Sequence, residues 1–254
     1  MDWARSRRLT VIGVLIVAVL AILLIIGFAI FYKTPTCTDS KMNGDETGID
    51  CGGSCSTVCR AEAQTASVRF ARVLQQSGRN DLIAYIDNPN VNAYAARADL
   101  LIDIYRQDGR QLQKHAYVSL PANMATPLFI PNIANAAVQQ IFVSFASSSP
   151  VWMKGSGGAE AMPKASNIVV TGTGDHPNVT ATVTNPIAYP EHNVPFIVTV
   201  FANDGTVIAA SQTVVPLIPA QGNAQAVFTW NEPFVEPYAR IEIVPILALP
   251  TVTP

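Results

Sequence analysis

Two clusters of side chains in this sequence have the types and spacing for chemistry. Residues 35–60 read PTCTDSKMNGDETGIDCGGSCSTVCR and hold all four cysteines, Cys37, Cys51, Cys55 and Cys59. Between the first two, Asp39, Asn43, Gly44 and Asp50 fall at positions 1, 5, 6 and 12 of an EF-hand-style loop, with Asp45 at 7 and Thr47 at 9. Hard oxygen donors around a glycine bend are what Ca2+ requires, so Asp39, Asn43, Asp45 and Asp50 form a calcium candidate. Lys41 at position 3, Asp in place of Glu at position 12 and the absence of helical flanks set the loop apart from an EF-hand. The competing reading is an Asp/Asn/Gly-rich turn held by disulfides. The second cluster is Asp175-His176 with Glu191-His192, which would make a metal site if the two pairs met at one end of a domain, and are exposed loop histidines otherwise.

The cysteines themselves do not fit zinc, since no His is near and no Cys-x-x-Cys pair occurs. The segment has almost no large apolar residues and cannot build a core, so covalent staples are expected. Closing a loop the size of Cys37–Cys51 is worth about 3 kcal/mol in the chain-entropy model. Four cysteines allow three pairings. Cys37–Cys55 with Cys51–Cys59 is the one in which neither bridge spans only three residues, and the sequence does not choose among them. For catalysis there is no G-x-S-x-G elbow, HExxH helix or phosphate-binding glycine loop; the run Gly155-Ser-Gly-Gly158 lacks the P-loop spacing. No catalytic residues and no resident organic cofactor are expected.

These residues hang from an apolar element. Leu9 to Tyr32 has Thr10 as its only clearly polar side chain before the tyrosine. As a helix it would span about 36 Å, enough for a hydrocarbon core of about 30 Å with some tilt. It is longer than the apolar region of a cleaved signal peptide and ends in Phe31-Tyr32-Lys33 without a small-x-small site. An uncleaved anchor is the expectation, contacting the lipid bilayer through residues 9–32. Arg5, Arg7 and Arg8 precede it and only Lys33 follows at once, so the positive-inside rule keeps residues 1–8 in the cytoplasm and puts the rest outside the cell membrane. Exported cysteines fit that orientation, because disulfides persist there.

Beyond a cysteine-rich stalk (33–62) the chain repeats itself. Asp81-Leu-Ile-Ala-Tyr-Ile-Asp-Asn88-Pro89, Leu101-Ile-Asp-Ile-Tyr105 and Asp108-Gly109 return as Asn178-Val-Thr-Ala-Thr-Val-Thr-Asn185-Pro186, Ile197-Val-Thr-Val-Phe201 and Asp204-Gly205. The Asn-Pro pairs are offset by 97, the Asp-Gly pairs by 96, and Pro121-Ala-Asn123 precedes Pro219-Ala-Gln221 by 98. Val179, Ala181 and Val183 alternate with threonines, the period of a half-buried strand, and Asp-Gly between apolar runs signals a hairpin. The expected fold is an all-β ectodomain of tandem immunoglobulin-like β-sandwiches, at 66–146 and 166–250, after one N-terminal transmembrane helix and a short disulfide-rich segment. Residues 147–165 read as a Gly/Ser-rich flexible linker, with Trp152 as a wedge between the domains, and 251–254 as a tail.

The anchor followed by PTC-x-D…NG-x-E-x-G-x-DCGG-x-C resembles a recurrent type of membrane-anchored surface protein of small-genome, candidate-phylum bacteria. The strand–Asn-Pro–strand–Asp-Gly pattern resembles FxLYD-type immunoglobulin-like domains, with Ile-Tyr-Arg in the first copy and Val-Phe-Ala in the second where that family has LYD. The resemblance covers residues 9–250 and implies extracytoplasmic β-sandwich modules without catalytic residues.

Charge narrows the partners. The formal net charge is −2 with 16 basic residues, which leaves no basic field for nucleic acid. Residues 66–146 carry +2 and residues 166–254 carry −5, a split that could favour end-to-end association or contact with anionic lipid. The expected function is that of a non-enzymatic, single-pass binding or spacer protein with a protein partner at the cell surface, or alternatively a structural subunit of a cell-envelope assembly.

Overall fold

A computed structural model describes residues 2–31, 37–76, 78–147, 149–246 and 249. The end of the expected span at Tyr32, the stalk residues 33–36 and the 251–254 tail lie outside the described residues. The chain divides into two compact units, residues 1–53 and 54–254.

In the first unit, helix α1 (Asp2–Phe31) has no polar face from Leu9 onward, and none of Arg7–Phe28 is buried. A helix of this length with no polar face gains nothing from a water-facing surface, and it is a candidate membrane anchor or signal sequence. The Cys-rich loop folds back on itself where Thr47 and Gly48 both donate to the Cys51 carbonyl (3.2 Å each). Gly52 and Gly53 are obligatory there: both have positive φ (79° and 47°), and a Cβ would fall 1.7 Å from Thr47 Oγ1 and 2.0 Å from the Asp45 carbonyl respectively. The bridges are Cys37–Cys55 and Cys51–Cys59, and no cysteine is free.

The second unit is all β. Its first half has β1 (Ser67–Gln76), β2 (Arg79–Asn88), β3 (Ala93–Arg106), β4 (Gln111–Leu120), β5 (Met124–Ala134) and β6 (Val138–Phe145), paired as sheets β1-β2-β5 and β4-β3-β6. After the short β7 (Met153–Lys154) come β8 (Lys164–Thr171), β9 (Asn178–Thr184), β10 (Glu191–Ala202), β11 (Val207–Ile218), β12 (Asn223–Thr229) and β13 (Tyr238–Pro245), paired as β8-β9-β12 and β11-β10-β13. The two halves share one strand order. In each, inward side chains of the two sheets interdigitate: Leu82, Ala84 and Ile86 meet Leu100, Ile102 and Ile104 in the first, and Val179 and Val183 meet Phe196, Val198 and Val200 in the second.

The hairpins form where Asp-Gly stands. Gly109 and Gly205 have φ of 80° and 82°, and Asp108 and Asp204 accept from the amides of Arg110 (3.1 Å) and Thr206 (2.8 Å). The Asn-Pro sites do more than end a strand. Buried Asn88 donates through Nδ2 to the carbonyls of Ala93 (2.9 Å) and Pro121 (2.8 Å), while its Oδ1 accepts from the Asn90 amide (3.0 Å). Asn185 donates to Tyr189 (2.8 Å) and Pro219 (3.2 Å) and accepts from Ile187 (3.1 Å). One carboxamide therefore ties the loop after the strand to the loop that begins at the proline, in both halves.

The 147–165 segment differs from the flexible hinge its composition suggests. Trp152 is buried in the core of the first sandwich, not wedged between two domains. Its carbonyl accepts from Val58 (2.9 Å), Lys154 donates to Ser56 (2.8 Å), Gly155 donates to Asn92 (2.8 Å), and Ser156 accepts from Ala122 (3.1 Å). Gly157 lies so close to the Tyr94 ring that an added Cβ would be 2.8 Å from it. Gly157 lets the backbone lie close on the sandwich, where buried Trp152 and four backbone bonds hold the segment.

Replacing Asn88 by Ala removes its bonds to the carbonyls of Ala93, Leu120 and Pro121 and to the Asn90 amide, and should cost about 3 kcal/mol in urea unfolding. Asn88→Asp should be no milder, because a carboxylate cannot donate to those carbonyls. A loss under 1 kcal/mol for both variants would remove the asparagine from its assigned role.

Candidate functional site

The polar and apolar groups of this molecule converge where the two sandwiches meet. In β2 every residue from Asp81 to Ile86 is buried, and in β10 every residue from Phe196 to Ala202. One face of each strand fills its own core. The other faces, Ile83 and Tyr85 on β2 and Ile197 and Phe201 on β10, meet in a separate cluster with Leu74, Val207 and Ala210. Sheet β1-β2-β5 of the first sandwich thus packs on sheet β11-β10-β13 of the second. Such double burial reads in sequence as an unbroken apolar run, here LIAYI and FIVTVFA, rather than as alternation.

Tyr85 sits at the centre of the interface. Its ring stacks on Phe70 (5.2 Å) and meets the edge of Phe201 (6.2 Å). Its hydroxyl lies 3.0 Å from Thr199 Oγ1 and 2.9 Å from Glu242 Oε2, both in the second sandwich. Arg240 pairs with Glu242 and lies 4.0 Å over the Phe201 ring. Burial pushes the Tyr85 phenol above its ordinary value of 10.0, against the smaller opposing pulls of the Thr199 bond, Arg240 and Arg69.

Gln76, at the end of β1, makes the second polar contact. Its Nε2 donates to the Ala210 carbonyl (3.1 Å) and to Asp81 (3.2 Å), while its Oε1 accepts from the Ala210 amide (3.3 Å) and the Trp230 indole (3.1 Å). Asp81, fully buried, also accepts from the Asn132 amide (2.8 Å) and faces Arg79 at 3.4 Å. Beside this cluster opens a groove of about 670 Å³, walled by Phe129, Pro131 and Arg79 on one side and by Ala210–Val214 and Trp230 on the other.

The residues singled out from the sequence lie elsewhere. Asp50 accepts from the Ser40 amide through both oxygens (3.1 and 3.0 Å), and Asp39 accepts from the Lys41 amide (3.0 Å) and from Asn43 Nδ2 (2.8 Å). Asp39 and Asp50 thus close turns, and a calcium ion would compete with these bonds. Among the described residues, Asp39, Asp45 and Asp50 do not bring three oxygens within 4.8 Å of one another. The cysteine sulfurs are committed to the two bridges. His176 pairs with its neighbour Asp175 at 3.5 Å and His115 with Asp99 at 3.0 Å; no metal-ligating cluster containing His176 and His192 forms among the described residues.

No family model matches this chain, and no curated protein matches it. Among solved structures it is similar to a red sea bream transglutaminase, at 12% identity over 71% of this chain and 29% of that one, with a TM-score of 0.24. A β-glucuronidase of glycoside hydrolase family 2 follows at 11% identity over 80% and 26%, with a TM-score of 0.20. The chain spans less than a third of the length of either protein.

Two outcomes are expected. For Tyr85, a folded pKa above the unfolded value means stability present below about pH 10 and lost as pH rises through the folded value. The stability difference between the native chain and Tyr85→Phe should therefore shrink above pH 10; a difference constant from pH 7 to 11 contradicts the assignment. For the loop, Asp50→Ala should lower stability by about 1–2 kcal/mol in EDTA, and millimolar Ca2+ should leave the native melting temperature unchanged. A calcium-dependent rise that Asp39→Asn and Asp50→Asn abolish would restore the calcium site.

Proposed function

We propose that this chain is a single-pass, membrane-anchored extracytoplasmic protein that binds or spaces and does not catalyse. Residues 9–32 sit in the lipid bilayer, residues 1–8 in the cytoplasm, and the β region outside. The observation that carries the reading is the fused pair of sandwiches: an apolar cluster, Tyr85 and Gln76 join them into one body, which suits a protein whose task is to hold a surface in a fixed orientation. The unburied apolar helix and the two disulfides support an anchored, exported chain. The matching strand orders and the paired roles of Asn88 and Asn185 support an internal duplication, which is what the FxLYD-type reading requires.

A second reading, a structural subunit packing on envelope partners, is favoured by the free face of β4-β3-β6. There Tyr117 and Phe142 are about half exposed, 52% and 49%, with Phe142 against Tyr105 and Tyr117 opposite Asp99. Crosslinking on native cells separates the two, since a partner recovered in stoichiometric amount supports assembly.

Protease added to intact spheroplasts should degrade the chain beyond Lys33 and leave the anchor. Full protection of that region overturns the orientation and, with it, both readings.

A further inference from the structure

In an antiparallel ladder the N–H and C=O of one residue point to the same side, and successive residues alternate sides. β11 lies at the edge of its sheet, pairing with β10 only. Ala210 gives its N–H and C=O to Gln76, so these groups face away from β10. Val214, opposite Pro195, faces the same way: Pro195 turns its carbonyl to the amide of Ile246 (2.8 Å), away from β11. By this alternation Gln212 also points outward. Gln212 and Val214 thus present two donor–acceptor pairs to the 670 Å³ groove. The row is closed at one end by the Gln76 amide and at the other by Pro216, which has the same parity and no N–H.

We propose that this slot binds an extended polypeptide segment, which adds to β11 as a further strand. The carboxamide of Gln76 has the donor and acceptor of a peptide group and already docks as one on Ala210, so the site continues an existing interface. At about 3.3 Å per residue the slot takes roughly four residues of ligand. Phe129, Pro131 and Val214, which is 50% exposed, offer an apolar wall. Arg79, with 56% of its side chain exposed, favours an acidic residue beside it. The inference rests on the binding reading above and gives it a ligand class. It is read on the full chain in detergent micelles, without reference to orientation, so its failure is distinct from failure of the topology.

The probe is the acetylated, amidated peptide Val-Glu-Val-Thr-Val at millimolar concentration, with two versions N-methylated on alternate residues. Hydrogen exchange at residue resolution should slow at Gln212 and Val214, while Ser211 and Thr213, already bonded to β10, stay as they were. One methylated version should bind like the parent and the other should not. Val214→Pro, which deletes only an outward N–H, should weaken binding about three- to tenfold with the melting temperature unchanged. If that variant is itself destabilised, the methylated peptides carry the test without altering the protein. Unchanged exchange at Gln212 and Val214, or equal binding by both methylated versions, overturns the proposal. So does concentration-dependent protection without peptide, which would place a second copy in the slot.

Discussion

A strand buried on both faces takes a charge only where bonds wait for it, as they do for Asp81, and a slip of one residue would exchange two different apolar surfaces. β2 and β10 are both in this position. Ile83 and Tyr85 on one, and Ile197 and Phe201 on the other, meet between the sandwiches while the opposite face of each strand fills its own core. Burial of each large side chain contributes about 1.5–3 kcal/mol, an upper range because unfolded chains already hide part of that surface. The groove, the Gln76 contact and the Tyr85 contact are all consequences of where these two strands cross.

The interface joins unlike sheets, so by symmetry alone it would leave complementary faces free at both ends, the arrangement that builds open filaments. The free faces do not repeat the docked ones. Where β2 has Ile83 and Tyr85, β9 has Thr180 and Thr182; where β10 has Thr199, β3 has Asp103, bonded to Gln113 at 2.8 Å. Ile83 and Tyr85 of the docked pair thus give way to hydroxyls in the free pair, and Thr199 to a carboxylate, while Leu101 and Tyr105 keep the apolar character of Ile197 and Phe201. A second molecule meeting these faces edge to edge in the same way would have to bury Asp103, at a cost that burial of threonine methyls does not offset.

Much of this was legible in the sequence. The alternation in NVTATVT, the Asp-Gly hairpins, the apolar helix and the confinement of the cysteines each follow from local periodicity or composition, and the structure has the elements there. The interface was not read, although its signal was present: LIAYI and FIVTVFA fail to alternate, and a strand that fails to alternate is covered twice. The linker misled for a different reason. Gly155, Gly157 and Gly158 look like freedom when composition is all there is, yet Gly157 serves close approach to Tyr94, and Trp152 nearby fixes the path. In the Cys-rich loop the spacing of oxygen donors left a calcium site and a disulfide-held turn side by side, because spacing says nothing of which backbone amides Asp39 and Asp50 will meet.

Three neutral carboxamides close the places where the strands end or meet another sheet. Asn88, Asn185 and Gln76 each stand where the backbone leaves a regular ladder, and each supplies what a missing peptide group would have supplied: N–H groups for stranded carbonyls and an oxygen for a stranded amide. A neutral amide satisfies such groups without the desolvation penalty of a charge, which fits a chain with only 13% charged residues. It also sets a limit. A carboxamide has the donor and acceptor of a peptide group, so where one docks on a strand edge, as Gln76 does on Ala210, the next outward residues offer a peptide the same pair of groups. The interface that fuses the two sandwiches and the slot beside it are therefore products of one edge strand, filled by a side chain at one position and open at the next two.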